Sequence, residues 1–126
     1  MKTTYNVEVV ETSKELRAKE RVAIKDFTNA IALDDATQRN GHIVIDIDYY
    51  AVLNIHNEKS KDKDYCKYVV VDKAGNKYIT GSLSFFNALT DIIDEMEDAD
   101  EEYSIDVYRV PSKNYSGKDF ITCSIV

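Results

Sequence analysis

Tryptophan is absent from this chain, proline occurs once and glycine four times in 126 residues. So little proline and glycine excludes collagen-like and low-complexity architectures, and 44% hydrophobic beside 31% charged residues is the make-up of a chain that folds. The only cysteines, Cys66 and Cys123, lack a CxxC spacing, so no disulfide framework or zinc site is written here and both are expected as reduced, buried small residues. Two histidines, His42 and His56, are all that is available for acid–base work near neutral pH. Neither neighbours a serine or cysteine in a nucleophile motif, and the glycines form no phosphate-cradling loop. Catalysis is therefore not expected, nor is a cofactor. No apolar run approaches the roughly 20 residues that span a bilayer, and Met1 to Val10 is polar rather than a basic lead into an apolar stretch. Secretion and membrane insertion are disfavoured, which makes the cytoplasm the expected compartment.

Basic charge is scarce too. Sixteen lysines and arginines against 23 acids leave a net charge of −7, which argues against a partner held by bulk attraction to phosphate. The charge is segregated, however. Between Tyr78 and Tyr108 there is no Lys or Arg, while nine acids lie there, from Asp91 and Asp94 through Glu102 to Asp106. The remainder of the chain is about +2. Because salt screens fields beyond about 8 Å, a basic face can coexist with a negative total.

The length is that of one domain with one core. Tyr5 to Glu11 alternates as a strand, and Thr12 with Glu15 resembles a capping box that opens a helix. The stretch up to the polar loop Gln38 to Gly41 reads as mixed structure, because Val22, Ile24, Phe27, Ala30 and Ile31 fit either period. From His42 the period is two: Ile43, Ile45, Ile47, Tyr49, Ala51, Leu53 and Ile55 face a core. The opposite phase, Val44, Asp46, Asp48, Tyr50, Val52, Asn54 and His56, is partly polar and free for solvent or ligand. A strand this long is expected to bend.

A lysine-rich connection, Asn57 to Asp64, leads to a second strand, Tyr65 to Asp72. Lys73-Ala74-Gly75 makes a three-residue turn into a third, with Gly75 taking a positive φ. That register sets Val71 against Lys77, Val70 against Tyr78, Val69 against Ile79 and Tyr68 against Thr80. Phe85, Phe86, Leu89, Ile92, Ile93 and Met96 then recur at helical spacing over about fourteen residues. Strands from Tyr103 to Val110 and from Asp119 to Val126 close the chain, with Ile121, Cys123 and Ile125 in the core phase.

A long bent strand, a hairpin, a helix and a final pair resemble the OB fold. The expectation is a mainly β, five-stranded OB-like barrel with a helix between strands three and four, residues 1–41 packing on it as an N-terminal extension of one domain, 1–126. The stretch Val69 to Ser82 with Phe85-Phe86, and the ending Ser112 to Val126, are similar to small single-stranded DNA-binding proteins of phages of Gram-positive bacteria. The resemblance covers about Tyr50 to Val126. It implies a protein that coats replication or recombination intermediates in the host cytoplasm, and the expectation is a sequence-tolerant single-strand binder working as a homo-oligomer or cooperatively.

In OB folds the face of strands two and three and the loops joining strands one to two and four to five grip oligonucleotides. The first loop here holds Lys59, Lys61 and Lys63, with His56 at its mouth. The second holds Lys113, Tyr115 and Lys118. Tyr68 and Tyr78 on the hairpin, with Tyr50 beside them, are of the type that stacks bases, and Lys67, Lys77 and Arg109 complete the basic set. Asp46 and Asp48 mark a wet strand face rather than a metal site. There is no tryptophan platform and no acidic C-terminal tail; the internal run Asp94 to Glu102 is where replication proteins of phage or host would be recruited. A different class of function is an acidic inhibitor that mimics DNA and blocks a host nucleic-acid enzyme, or a protein-interaction module on the same scaffold.

Overall fold

The computed structural model describes residues 5–111 and 119–126, which form eight strands and three helices. Strands dominate, in a five-stranded and a three-stranded sheet. By Cα packing the chain makes two compact units, each discontinuous in sequence: Met1–Ile31 with Asp48–Gly81, and Ala32–Ile47 with Ser82–Val126. The sheets do not form the closed five-stranded barrel expected from the sequence.

The long alternating run is where the expectation and the fold part. It is two strands, β3 (His42–Ile45) and β4 (Ile47–Asn57), interrupted at Asp46 and belonging to different sheets. The predicted bend is thus a change of sheet.

In the first unit, β1 (Tyr5–Thr12), β4, β5 (Asp64–Asp72) and β6 (Lys77–Thr80) lie in the order β1-β4-β5-β6, with β2 (Ile31–Ala32) last. β1 pairs antiparallel with β4 and is an edge strand; a register shift between Val9 and Glu11 leaves Val10 out of the ladder and 52% exposed. Such a bulge, with Glu8 and Glu11 beside it, blunts an edge against further pairing. The β5–β6 hairpin has the register read from the sequence, Tyr68↔Thr80 through Val71↔Lys77, and Gly75 sits at φ 92° in its turn. The core joins Leu16 and Ile24 to Tyr49, Ala51, Leu53, Val69 and Val71. Ile24 comes from α1 (Ala18–Ile24). That helix is N-capped at Arg17 rather than Thr12: Thr12 ends β1, and the Glu20 carboxylate accepts from the Arg17 N–H at 2.9 Å. The expected Thr12–Glu15 capping box is not formed: Thr12 Oγ1 donates instead to Lys14 O at 2.6 Å, and different residues, Arg17 and Glu20, cap the helix.

In the second unit, β3, β7 (Ile105–Pro111) and β8 (Asp119–Ile125) form an antiparallel sheet in that order. α2 (Leu33–Asn40) packs on β3 and β7, and α3 (Leu83–Met96) on β8. α3 has the fourteen residues expected, with Ser82 as its N-cap: Oγ accepts from the Phe85 N–H at 3.2 Å. Ser84 Oγ donates to Ile121 O at 2.9 Å, tying the helix start to β8. Phe85, Leu89, Ile105 and Val107 are fully buried, each contributing about 1.5–3 kcal/mol by area.

Candidate functional site

Several of the described residues proposed to meet nucleic acid are buried or already engaged within their own unit. β4 is central, flanked by β1 and β5, and both of its phases are covered from Tyr49 to Leu53. Tyr50, expected on the binding face, is therefore buried at 8% exposure. Its hydroxyl donates to Glu11 Oε2 at 2.6 Å and its N–H to Ser13 Oγ at 2.9 Å. Tyr68 and Tyr78 lie on the strand phase of Val70 and Thr80, which are 0% and 1% exposed. Both rings are half-buried, and burial raises both phenol pKa values; for Tyr78 the Asp72 charge adds to this. Alternation alone could not reveal that both faces of this hairpin are covered.

Lys77 is likewise committed. Its Nζ donates to Ala23 O at 2.8 Å and Asp26 O at 2.6 Å, capping carbonyls at the end of α1 where the helix dipole favours a cation. Lys67 is half-buried, whereas Lys59, Lys61 and Lys63 are exposed on the connection between β4 and β5. Lys63 pairs with Glu58 at 3.6 Å. His56 stands between two carboxylates, Nδ1 on Asp64 Oδ1 at 2.8 Å and Nε2 on Glu58 Oε2. Neutral imidazole can donate only once, so this arrangement suits the imidazolium; hydrogen bonds to Asp64 and then Glu58 raise the His56 pKa above 6.5.

In the second unit Arg109 is half-buried, with Nη2 donating to Asp34 O at 2.8 Å and Nε to Thr37 Oγ1 at 3.1 Å. It fastens β7 to α2. Lys113, Tyr115 and Lys118 lie outside the described residues. The acids are presented fully: Asp91, Asp94, Glu95, Glu97, Asp98, Asp100, Glu101 and Glu102 are all exposed, along the second half of α3 and just beyond it.

Sequence reasoning missed an open surface on this unit. One phase of the three-stranded sheet is its core, with Ile45, Ile105, Val107, Ile121 and Cys123 buried. The other carries His42, Val44, Asp106, Tyr108, Phe120 and Ser124. His42 stacks on Tyr108 at 5.1 Å between centroids, and its Nδ1 meets Asp106 Oδ2 at 2.9 Å. The Tyr108 hydroxyl and Ser124 Oγ are 2.6 Å apart. Val44 and Phe120 are 61% and 39% exposed. Asp106 Oδ1 is shielded yet has no hydrogen-bond partner among the described residues. The signal was available as the phase opposite Ile121 and Cys123, but it takes the pairing of three strands distant in sequence to gather it.

Charge divides along the same line. The first unit has ten acids and twelve bases, the second thirteen acids and four bases, so they carry +2 and −9. Among the described residues no three His, Cys, Asp or Glu side chains converge to hold a metal, and no helix is long and apolar enough to cross a membrane. Comparisons with protein-family models, curated proteins and solved structures returned no match to this chain.

Proposed function

We propose that the chain is a non-catalytic binding module whose strongly acidic second unit engages a basic protein surface, such as the nucleic-acid-binding face of an enzyme. The observation that carries this reading is the exposed run of eight acids from Asp91 to Glu102, uninterrupted by any base. Solubility does not require such segregation. Asp94 and Glu95 occupy the last turn of α3, with no basic residue there. At a helix C-terminus the macrodipole disfavours acids by roughly 0.3–1 kcal/mol each, so their position costs stability. A concentrated negative field steers a cationic partner and fixes its orientation.

The test is a titration of the full chain with a fluorescent Lys/Arg-rich peptide and, separately, with fluorescent oligo(dT), at low and raised salt. The reading expects salt-sensitive peptide binding, weakened about tenfold by D94N/E95Q/E97Q/D98N together, a loss of about 1.4 kcal/mol. Absence of peptide binding at low salt overturns it.

Single-stranded DNA binding by an OB-like, homo-oligomeric protein of phage replication or recombination is the second reading. What favours it is the exposed Lys59, Lys61 and Lys63 on a unit of net charge +2. It expects oligo(dT) binding that falls with salt and is lost when these three lysines become alanine.

A further inference from the structure

We infer that the open face of the β3–β7–β8 sheet is the docking surface of the second unit, and that its occupant is a short arginine-bearing segment of a basic protein partner. This rests on the acidic-module reading above and assigns that module its contact surface.

Cross-strand partners share a face, so the strand register fixes the layout. Val44, Asp106 and Ser124 form one row, His42, Tyr108 and Thr122 the next, and Val110 and Phe120 the third. With rows about 7 Å apart and strands about 4.8 Å apart, the rows cover a patch of roughly 10 by 14 Å, the span of four or five residues of extended chain. The patch is apolar at two opposite corners, through Val44 and Phe120, and aromatic and anionic at its centre. Natural sheet faces left to water are usually polar throughout. Here a phenylalanine and a valine stay exposed instead.

The centre selects the cation. Tyr108 offers a ring for a guanidinium to stack against, and Asp106 a carboxylate beside that ring. Asp106 Oδ2 is met by His42, while Oδ1 is shielded and lacks a donor among the described residues. Leaving such an acceptor unsatisfied is unfavourable. His42 has a side chain 66% exposed and touches Asp106 from the edge strand β3, so it can swing off and admit a planar donor to the carboxylate. A guanidinium, with two parallel coplanar N–H groups, matches both carboxylate oxygens with two well-aligned bonds, a planar fork that an ammonium lacks. The −9 charge of the unit supplies long-range attraction and opposes a nucleic-acid strand on this face.

The experiment uses the full chain and two fluorescein-labelled ten-residue peptides, alternating Arg-Ser and alternating Lys-Ser, read by anisotropy, with amide hydrogen exchange of β7 and β8 as a second readout. Three variants are compared with the wild type: V44S/F120S, which changes exposed side chains only; D106N; and the four-fold α3 neutralisation. The expected result is tighter binding of the Arg peptide, weakened about tenfold by V44S/F120S and by D106N, with protection of β7 and β8 in the wild-type complex. If peptide affinity survives V44S/F120S and D106N but falls on α3 neutralisation, this inference is overturned while the acidic-module reading stands. If neither peptide binds at low salt, both fall. If oligo(dT) binds and protects β7 and β8 in place of the peptides, the surface belongs to nucleic acid and the inference is overturned.

Discussion

Replacing Asp72 with alanine tests the claim that one carboxylate holds the β5–β6 hairpin in register. Asp72 is 9% exposed and accepts from the N–H groups of Asn76 at 2.8 Å and Ala74 at 3.0 Å, from Asn76 Nδ2 at 3.0 Å and from the Tyr78 hydroxyl at 3.3 Å. Hydrogen bonds to a charged acceptor contribute about 1.5–3 kcal/mol each when the released donor stays dry. Ala74 and Asn76 are exposed, so water recovers most of their share, whereas the half-buried Tyr78 hydroxyl is harder to rehydrate. The expected loss is about 2–3 kcal/mol, near the upper end for single substitutions. Burial pushes the Asp72 carboxyl up, but hydrogen bonds from Asn76, Ala74 and Tyr78 outweigh it and hold the pKa below 3.8. A group depressed on folding stabilises above its unfolded pKa and loses that stabilisation as pH falls through the folded one. The gap between wild type and Asp72→Ala should therefore be full at neutral pH and shrink below about pH 4. Urea unfolding followed by far-UV circular dichroism suits a chain without tryptophan. A loss under about 0.5 kcal/mol at pH 7, or a gap indifferent to acid, would refute the reasoning.

Gly75→Ala should cost about 1 kcal/mol in the same assay: nothing lies within 4 Å of the added Cβ, so the φ of +92° alone sets the penalty. His56 should titrate above 6.5 by NMR and fall back toward it in Asp64→Asn; its contribution is complete below the unfolded pKa and disappears as pH rises through the raised folded value. A wild-type midpoint at or below 6.5 would dismiss the paired-carboxylate account. The two thiols should differ under a disulfide reagent at pH 8, with exposed Cys66 reacting at once and Cys123, buried and pushed up to about 12, reacting only on unfolding. Equal rates would contradict the burial of Cys123.

Local chemistry was legible in the sequence wherever neighbours along the chain decide the outcome. The hairpin register follows from Gly75 and the turn it permits, α3 from the three- and four-residue spacing of Phe85 to Met96, and the core phase of β4 from strict alternation. The segregation of charge needs no coordinates at all. Tertiary structure decided the rest, because burial depends on what lies across a strand as well as along it. Alternation gives two faces to Tyr50 and Tyr68 but not how many are covered. A lysine and an arginine look available until Lys77 is found on the carbonyls at the end of α1 and Arg109 on α2. Only the pairing of β3, β7 and β8, separated by up to about eighty residues, brings His42, Asp106, Tyr108 and Phe120 onto one open face. Their proximity is a product of long-range pairing, which no local period encodes.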